Sequence, residues 1–207
     1  MSGFLVSMEG AVSQGIIWGI MVLGVYITYK ILDIADLTVD GSFALGSVVC
    51  ALLIVKYDMN PLLAALLAGA AGMAAGAVTG FLHTVCGIPA ILAGILTQLG
   101  LWSVNLRILD GASNMPILKK DTIFSVWVDK TGMNQATVVL ILGLLIAAAV
   151  ILLLYWFFGT EVGAALRATG NNEDMIRALG VNTKGTKMLA LMISNGLVCL
   201  LYTSRCV

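Results

Sequence analysis

From Gln135 to Phe158 the chain runs 24 residues without a charged side chain. So long an apolar stretch satisfies its own backbone hydrogen bonds only as a helix, and a hydrocarbon core of about 30 Å takes about 20 helical residues to cross. Similar runs occupy Ala11 to Leu32, Gly41 to Val55, Pro61 to Leu82 and Pro89 to Leu106, and another begins near Met188. They are continuous rather than alternating, which selects helices over barrel strands. The second run reaches spanning length by borrowing Ala35 to Asp40, and the fourth by continuing toward Leu109. The expectation is an all-α polytopic transmembrane helix bundle with about six spans, the last incomplete. Composition agrees, since 60% hydrophobic and 11% charged residues leave too little polar surface to coat a soluble chain of this length. A formal net charge of zero, with no basic stripe, argues against nucleic acid as a partner.

The N-terminal MSGFLVSMEG has no basic segment and carries Glu9, so the first helix itself is expected to direct insertion. Cys50, Cys86, Cys199 and Cys206 form no CxxC pair, and His83 is the single histidine, so no metal site is expected. In the third span Gly72, Gly76 and Gly80 recur every four residues, which makes one helix face nearly bare backbone for another helix to pack on. Asp33, Asp36 and Asp40 fall between the first two spans, where they read as loop and capping groups, the other reading being a cation or proton site. Thr38 and Ser42 are placed to cap the second helix. They are also candidates to line a translocation pathway, as are Thr97, Gln98 and Asn105 of the fourth span, which, with Ser103 beside them, either line such a pathway or bond to neighbouring helices.

Between the last two apolar runs lies a polar island, Thr160 to Lys187, TEVGAALRATGNNEDMIRALGVNTKGTK. Asn171 or Asn172 is placed to cap a short helix, Glu173 and Asp174 suit its positive end, and Gly180 suits the left-handed residue that closes it. The pattern predicts a two-turn helix over Glu173 to Leu179, lying across the membrane surface. Gly159, Gly163, Gly170 and Gly180 are expected to let the flanking chain turn sharply.

The island resembles the cytoplasmic loop of permease subunits of ATP-binding-cassette importers, in the branched-chain amino acid and ribose permease group, where a pattern close to RAxGxNxxxAxxxGI is usual. Arg167, Gly170, Asn172 and Gly180 match it, Val181 takes the Ile position, and Ile176 and Arg177 stand where an alanine is common. ADLTVDGSFALGS (35 to 47) and GIPAILAGILTQLGLWSVNLRI (87 to 108) extend the likeness over nearly all of residues 11 to 198, and the first is similar to a subgroup taking up amino acids, aromatic ones included. The resemblance implies a permease domain over 1–198 with a coupling loop at 159–187. It implies a separate cytoplasmic ATP-binding subunit that hydrolyses ATP, an extracytoplasmic substrate-binding protein facing Asp110 to Asn134, a second permease subunit, and a bacterial inner membrane around the bundle. No cofactor is expected on this chain itself, which has no GxxxxGK[ST] phosphate loop. Arg167, Gly170, Asn172, Glu173, Asp174, Arg177 and Gly180 would then form the ATPase-coupling surface, and Arg167 and Arg177 would pair with acidic groups there.

Charge does not set the orientation. With the island inside, Lys30, Arg167, Arg177, Lys184 and Lys187 face Lys56, Arg107, Lys119, Lys120 and Lys130, five against five. The resemblance places the N-terminus outside. Two alternatives are an ion-coupled secondary transporter, which would use the aspartates near 33–40, and a non-transporting membrane scaffold. The last residues, LYTSRCV with a stop codon, can be written as self-complementary DNA resembling the end of a transposon used to prepare sequencing libraries. Residues 199–207 are therefore expected to be a non-native tail, with the helix from Met188 unfinished, later helices lost and the polypeptide inactive as written.

Overall fold

The computed structural model describes residues 2–111 and 135–202, and every regular element among them is helical. Helix α1, Ser2–Tyr26, runs without interruption into a π-helical turn, Ile27–Ile31. Then come α2 (Thr38–Tyr57), α3 (Pro61–Thr84), α4 (Ala90–Ile108) and α5 (Gln135–Gly159). Two short helices, α6 (Glu161–Asn171) and α7 (Glu173–Ala178), precede α8 (Thr183–Tyr202). Among the described residues, five helices are long and apolar enough to cross a membrane, namely α1 with its π turn and α2 to α5. The chain is thus a multi-pass helix bundle. The sixth member, α8, starts five residues before Met188, and its polar first turns, with Lys184 and Lys187, dilute the apolar run that follows.

The breaks between helices follow local chemistry. The π turn closes with Leu32 N–H donating to the Ile27 carbonyl at 3.2 Å and Ile34 N–H to that of Thr28 at 3.0 Å, and Asp33 then turns the chain at φ +54°. Asp58, also left-handed, ends α2, and Pro61 starts α3 at a position that has no amide partner to lose. Because the π turn ends at Ile31 and the chain turns at Asp33, α2 begins inside the bundle, with Thr38 and Val39 buried. That explains why residues 35–37 stay outside the helix that was expected to borrow them.

Of the apolar windows, α2 is the most enclosed at 56% and α5 the least at 17%, so α2 runs through the centre of the described helices and α5 along their outside. Helix α8 crosses the bare face of α3. A methyl group added at Gly80 would lie 3.0 Å from Met188 Cα, one at Gly76 would meet the Leu191 carbonyl and lie 2.9 Å from Met192 Cα, and one at Gly72 would meet Asn195 and Cys199. A methyl group at Gly46 of α2 would also lie 2.8 Å from the Cys199 carbonyl oxygen, so α2 approaches α8 closely as well. The stretch assigned to a foreign tail thus begins within α8, while residues 203–207 lie outside the described residues.

The centre also holds a polar chain. Asn195 donates from Nδ2 to Asp36 Oδ2 at 2.8 Å and accepts at Oδ1 from the Ser42 hydroxyl at 2.7 Å, while Thr38 and Thr79 share a hydrogen bond at 2.8 Å. Ser194 donates to the Gly24 carbonyl at 2.7 Å, so α8 is bonded to α1 as well. Thr38, Ser42, Ser194 and Asn195 are fully buried. These hydroxyls do not cap α2, contrary to the sequence expectation. The N-cap residue is Leu37, which offers no side-chain acceptor; the Asp36 carboxylate just before it accepts from Thr38 N–H at 2.9 Å, and the hydroxyls turn instead to α3 and α8.

Candidate functional site

The island folds into two helices, one held by the bundle and one presented outward. Thr160 opens α6, accepting from Gly163 N–H at 3.4 Å and donating to the Phe157 carbonyl at 2.6 Å. Gly163, Leu166 and Thr169 form its buried stripe, and Leu166 enters an apolar cluster with Ile27, Leu32, Ile34, Leu154 and Ala190. Arg167 reaches back to donate to the Phe158 carbonyl at 2.9 Å, placing a cation at the C-terminal end of α5. Gly163 and Gly170 are not turn residues. A methyl group at Gly170 would collide with the Ile31 carbonyl and one at Gly163 with that of Phe157, so both glycines permit close packing inside a continuous helix. Of the island glycines, Gly180 has a positive φ, +85°.

Asn172 breaks the helical line with extended backbone and caps α7, its Oδ1 accepting from Met175 N–H at 3.0 Å. Glu173 and Asp174 occupy the positive first turn. At the other end Gly180 N–H donates to the Arg177 carbonyl at 3.1 Å and Val181 N–H to that of Ile176 at 3.3 Å, a left-handed closure that satisfies the last carbonyls. Ile176 faces inward, while Asp174, Arg177, Met175 (59% exposed) and Leu179 (68% exposed) face out. Asn182 caps α8 through Gly185 N–H at 3.2 Å. Lys187 of α8 donates to Glu173 at 2.6 Å, and this hydrogen bond with its attendant charge holds the Glu173 carboxyl below the ordinary carboxylate range, against partial burial.

Apart from the central chain around Asn195, the polar residues of the spans are spread out. Thr97 donates to the Ala93 carbonyl at 3.0 Å, Ser103 is exposed, and a methyl at Gly41 of α2 would lie 3.0 Å from Gln98 Cα. Asn105 lies on the same face of α4 as Ala93 and Thr97, buried, with Oδ1 lacking a hydrogen-bond partner among the described residues. His83 contacts the Ile88 carbonyl at 2.9 Å and ties the α3–α4 loop to the end of α3.

A capped helix held out from a helix bundle is a surface that a second protein can grip, and comparison with known proteins narrows its class. A family model described as "Branched-chain amino acid transport system / permease component" matches residues 7–200. The chain belongs to this permease family. The permease-family chain is 40% identical over 196 residues to a "Tyrosine transport system permease protein" of Clostridioides difficile, covering 93% of this chain and 63% of that one. It is 35% identical over 195 residues to an uncharacterized protein of Rickettsia prowazekii, covering 92% of this chain and 64% of that one. It therefore spans a little under two thirds of the length of these relatives. No solved structure matches it.

Sequence reasoning missed three features of this structure. The helix α6 was hidden by its two glycines, although Thr160 with Glu161 is a readable start signal. Lys187 was counted only as a charge. Asn195, a lone amide beside Ser194 in an apolar run, was the available signal for the central polar chain.

Proposed function

We propose that this chain is the membrane-spanning permease subunit of an ATP-binding-cassette importer, passing a small solute, an amino acid with aromatic ones included, across a bacterial inner membrane. The observation that carries the reading is α7, a six-residue helix capped at both ends, with Met175, Arg177 and Leu179 on its open side. A helix this short is not stable by itself in water. Its caps, together with Ile176 packed inward, keep it rigid enough to transmit force. In this reading the island is cytoplasmic and the N-terminus outside, and α7 seats in a groove of a separate ATPase subunit. ATP is hydrolysed there, a binding protein delivers solute to the opposite face, and a second permease subunit completes the pathway. Family membership and the name of the tyrosine permease relative support it.

The test is co-purification in nanodiscs with the P-loop ATPase encoded beside the gene. Leu179→Asp on the open side of α7 should abolish ATPase binding, while Leu152→Ala on the exposed face of α5 should leave it intact. Solute uptake that proceeds without any ATPase and collapses with an ionophore would replace this reading with that of an ion-coupled transporter.

A further inference from the structure

We propose that Lys187 is a positioning residue, the strut that delivers movement of α7 to α8 and through it to α3. The proposal rests on the reading of the island as an ATPase-coupling loop. Residues Leu179–Asn182 link the two helices, and a linker of this kind, with a left-handed glycine at its centre, is a natural hinge. If it bent, α7 could tilt on an ATPase without moving anything in the membrane. The Lys187–Glu173 bond closes the ring across that hinge, joining positions 14 apart in sequence at 2.6 Å. It joins the first residue of α7 to the second turn of α8.

Two features make the pair more than a surface contact. The Lys187 side chain is only 16% exposed, against 43% for Glu173, so the ammonium end of the pair is held against protein while the carboxylate end reaches solvent. The next residue is Met188, whose backbone lies against Gly80 at the inner end of the α3 glycine face. With no side chain at Gly80 to yield, displacement of that turn of α8 passes directly to α3, because close-packed backbones do not compress. Farther along α8, Asn195 holds Asp36 and Ser42 of the α2 region by hydrogen bonds, so one helix engages α2 and α3 together. Movement then runs from Glu173 to Lys187, from Met188 to Gly80, and from Asn195 to α2.

The first arm of the test needs no ATPase. Spin labels at Asp174→Cys and Lys184→Cys, both exposed, in a Cys86→Ser, Cys206→Ser background of the chain in nanodiscs, report the distance between α7 and α8. Lys187→Met and Lys187→Glu should broaden that distribution, Lys187→Arg should keep it narrow, and the exchange Glu173→Lys with Lys187→Glu should restore it. The second arm uses the full transporter with its ATPase and binding protein. Lys187→Met should leave ATPase association intact and lower solute imported per ATP about fivefold, the change in equilibrium that a loss of about 1 kcal/mol produces, with recovery in the exchange variant. An unchanged label distribution in Lys187→Met refutes the strut. A broadened distribution with undiminished import per ATP refutes its role in transmission. Failure of the unmutated chain to bind any ATPase, with the labels still reporting a tight pair, would instead sink the coupling reading and this role with it.

Discussion

Replacing Gly76 by alanine adds one methyl group at the tightest part of the α3–α8 crossing. That methyl would collide with the Leu191 carbonyl oxygen and lie 2.8 Å from the carbonyl carbon and 2.9 Å from Met192 Cα. All three are backbone atoms, so no side chain can rotate away. Carbon atoms rest at about 3.5 Å or more, so relieving the contact with the carbonyl carbon alone takes a separation of about 0.7 Å, and the nearer oxygen demands more. The same separation would thin the contacts at Gly72 and Gly80 and stretch the Asn195–Ser42 bond, now 2.7 Å. Overpacking of this kind costs about 1–3 kcal/mol, and for a chain of this length each kcal/mol lowers Tm by about 2–4 °C. At the midpoint of that range, about 2 kcal/mol, the expected fall is about 4–8 °C, read by size-exclusion of detergent-solubilised protein after heating. Gly100→Ala is the matched control, because a methyl there meets nothing within 4 Å. Equal melting of Gly76→Ala and Gly100→Ala would refute the close α3–α8 crossing.

Asn195→Leu should cost about 1–3 kcal/mol by removing a donor from Asp36 and leaving Ser42 only the Val39 carbonyl, and Ser42→Ala should cost less than Asn195→Leu in the same melts, since it removes one partner rather than the amide that joins both. Gly180→Val forces a β-branched side chain to φ +85° and should cost about 1–2 kcal/mol locally, fraying α7 and weakening ATPase binding in a pull-down while leaving the melting of the bundle unchanged. The Glu173 carboxyl is held below its ordinary value of 4.5 by Lys187, so its contribution to docking α7 is fully present above that value and lost as pH falls through the lowered one. Hydrogen exchange of α7 should therefore quicken beyond its chemical pH dependence on acidification below about 4.5, and Lys187→Met should remove that extra sensitivity.

What the sequence made legible was local chemistry. Helix α7 and its closure at Gly180 could be read because a cap, two acids and a glycine act within a few residues of one another. The apolar runs located α1 to α5 for the same reason, since hydrophobic length is a property of a continuous segment. Thr38 and Ser42 were misread because their partners, Thr79 and Asn195, lie 41 and 153 positions away, and a hydroxyl at a helix start is locally indistinguishable from a cap. Gly163 and Gly170 were misread because glycine serves two purposes, left-handed turns and close approach. Which purpose applies depended on where Phe157 and Ile31 would be in space. The bare face of α3 could be recognised in the sequence, but not that α8 would occupy it.

The hydrogen bond between Ser42 and Asn195 also sets an order on biogenesis. Its partners leave the ribosome 153 residues apart, which at about 5–20 residues per second is about 8–30 s. Until α8 arrives, the Ser42 hydroxyl of α2 has only the Val39 carbonyl of its own helix, the Asp36 carboxylate just before α2 is short of one donor, and α3 shows a face of naked backbone. Neither the carboxylate nor that face is welcome among acyl chains. The nascent helices must therefore wait in a sheltered, partly hydrated place, and release into lipid becomes favourable only when the amide of Asn195 is delivered to them.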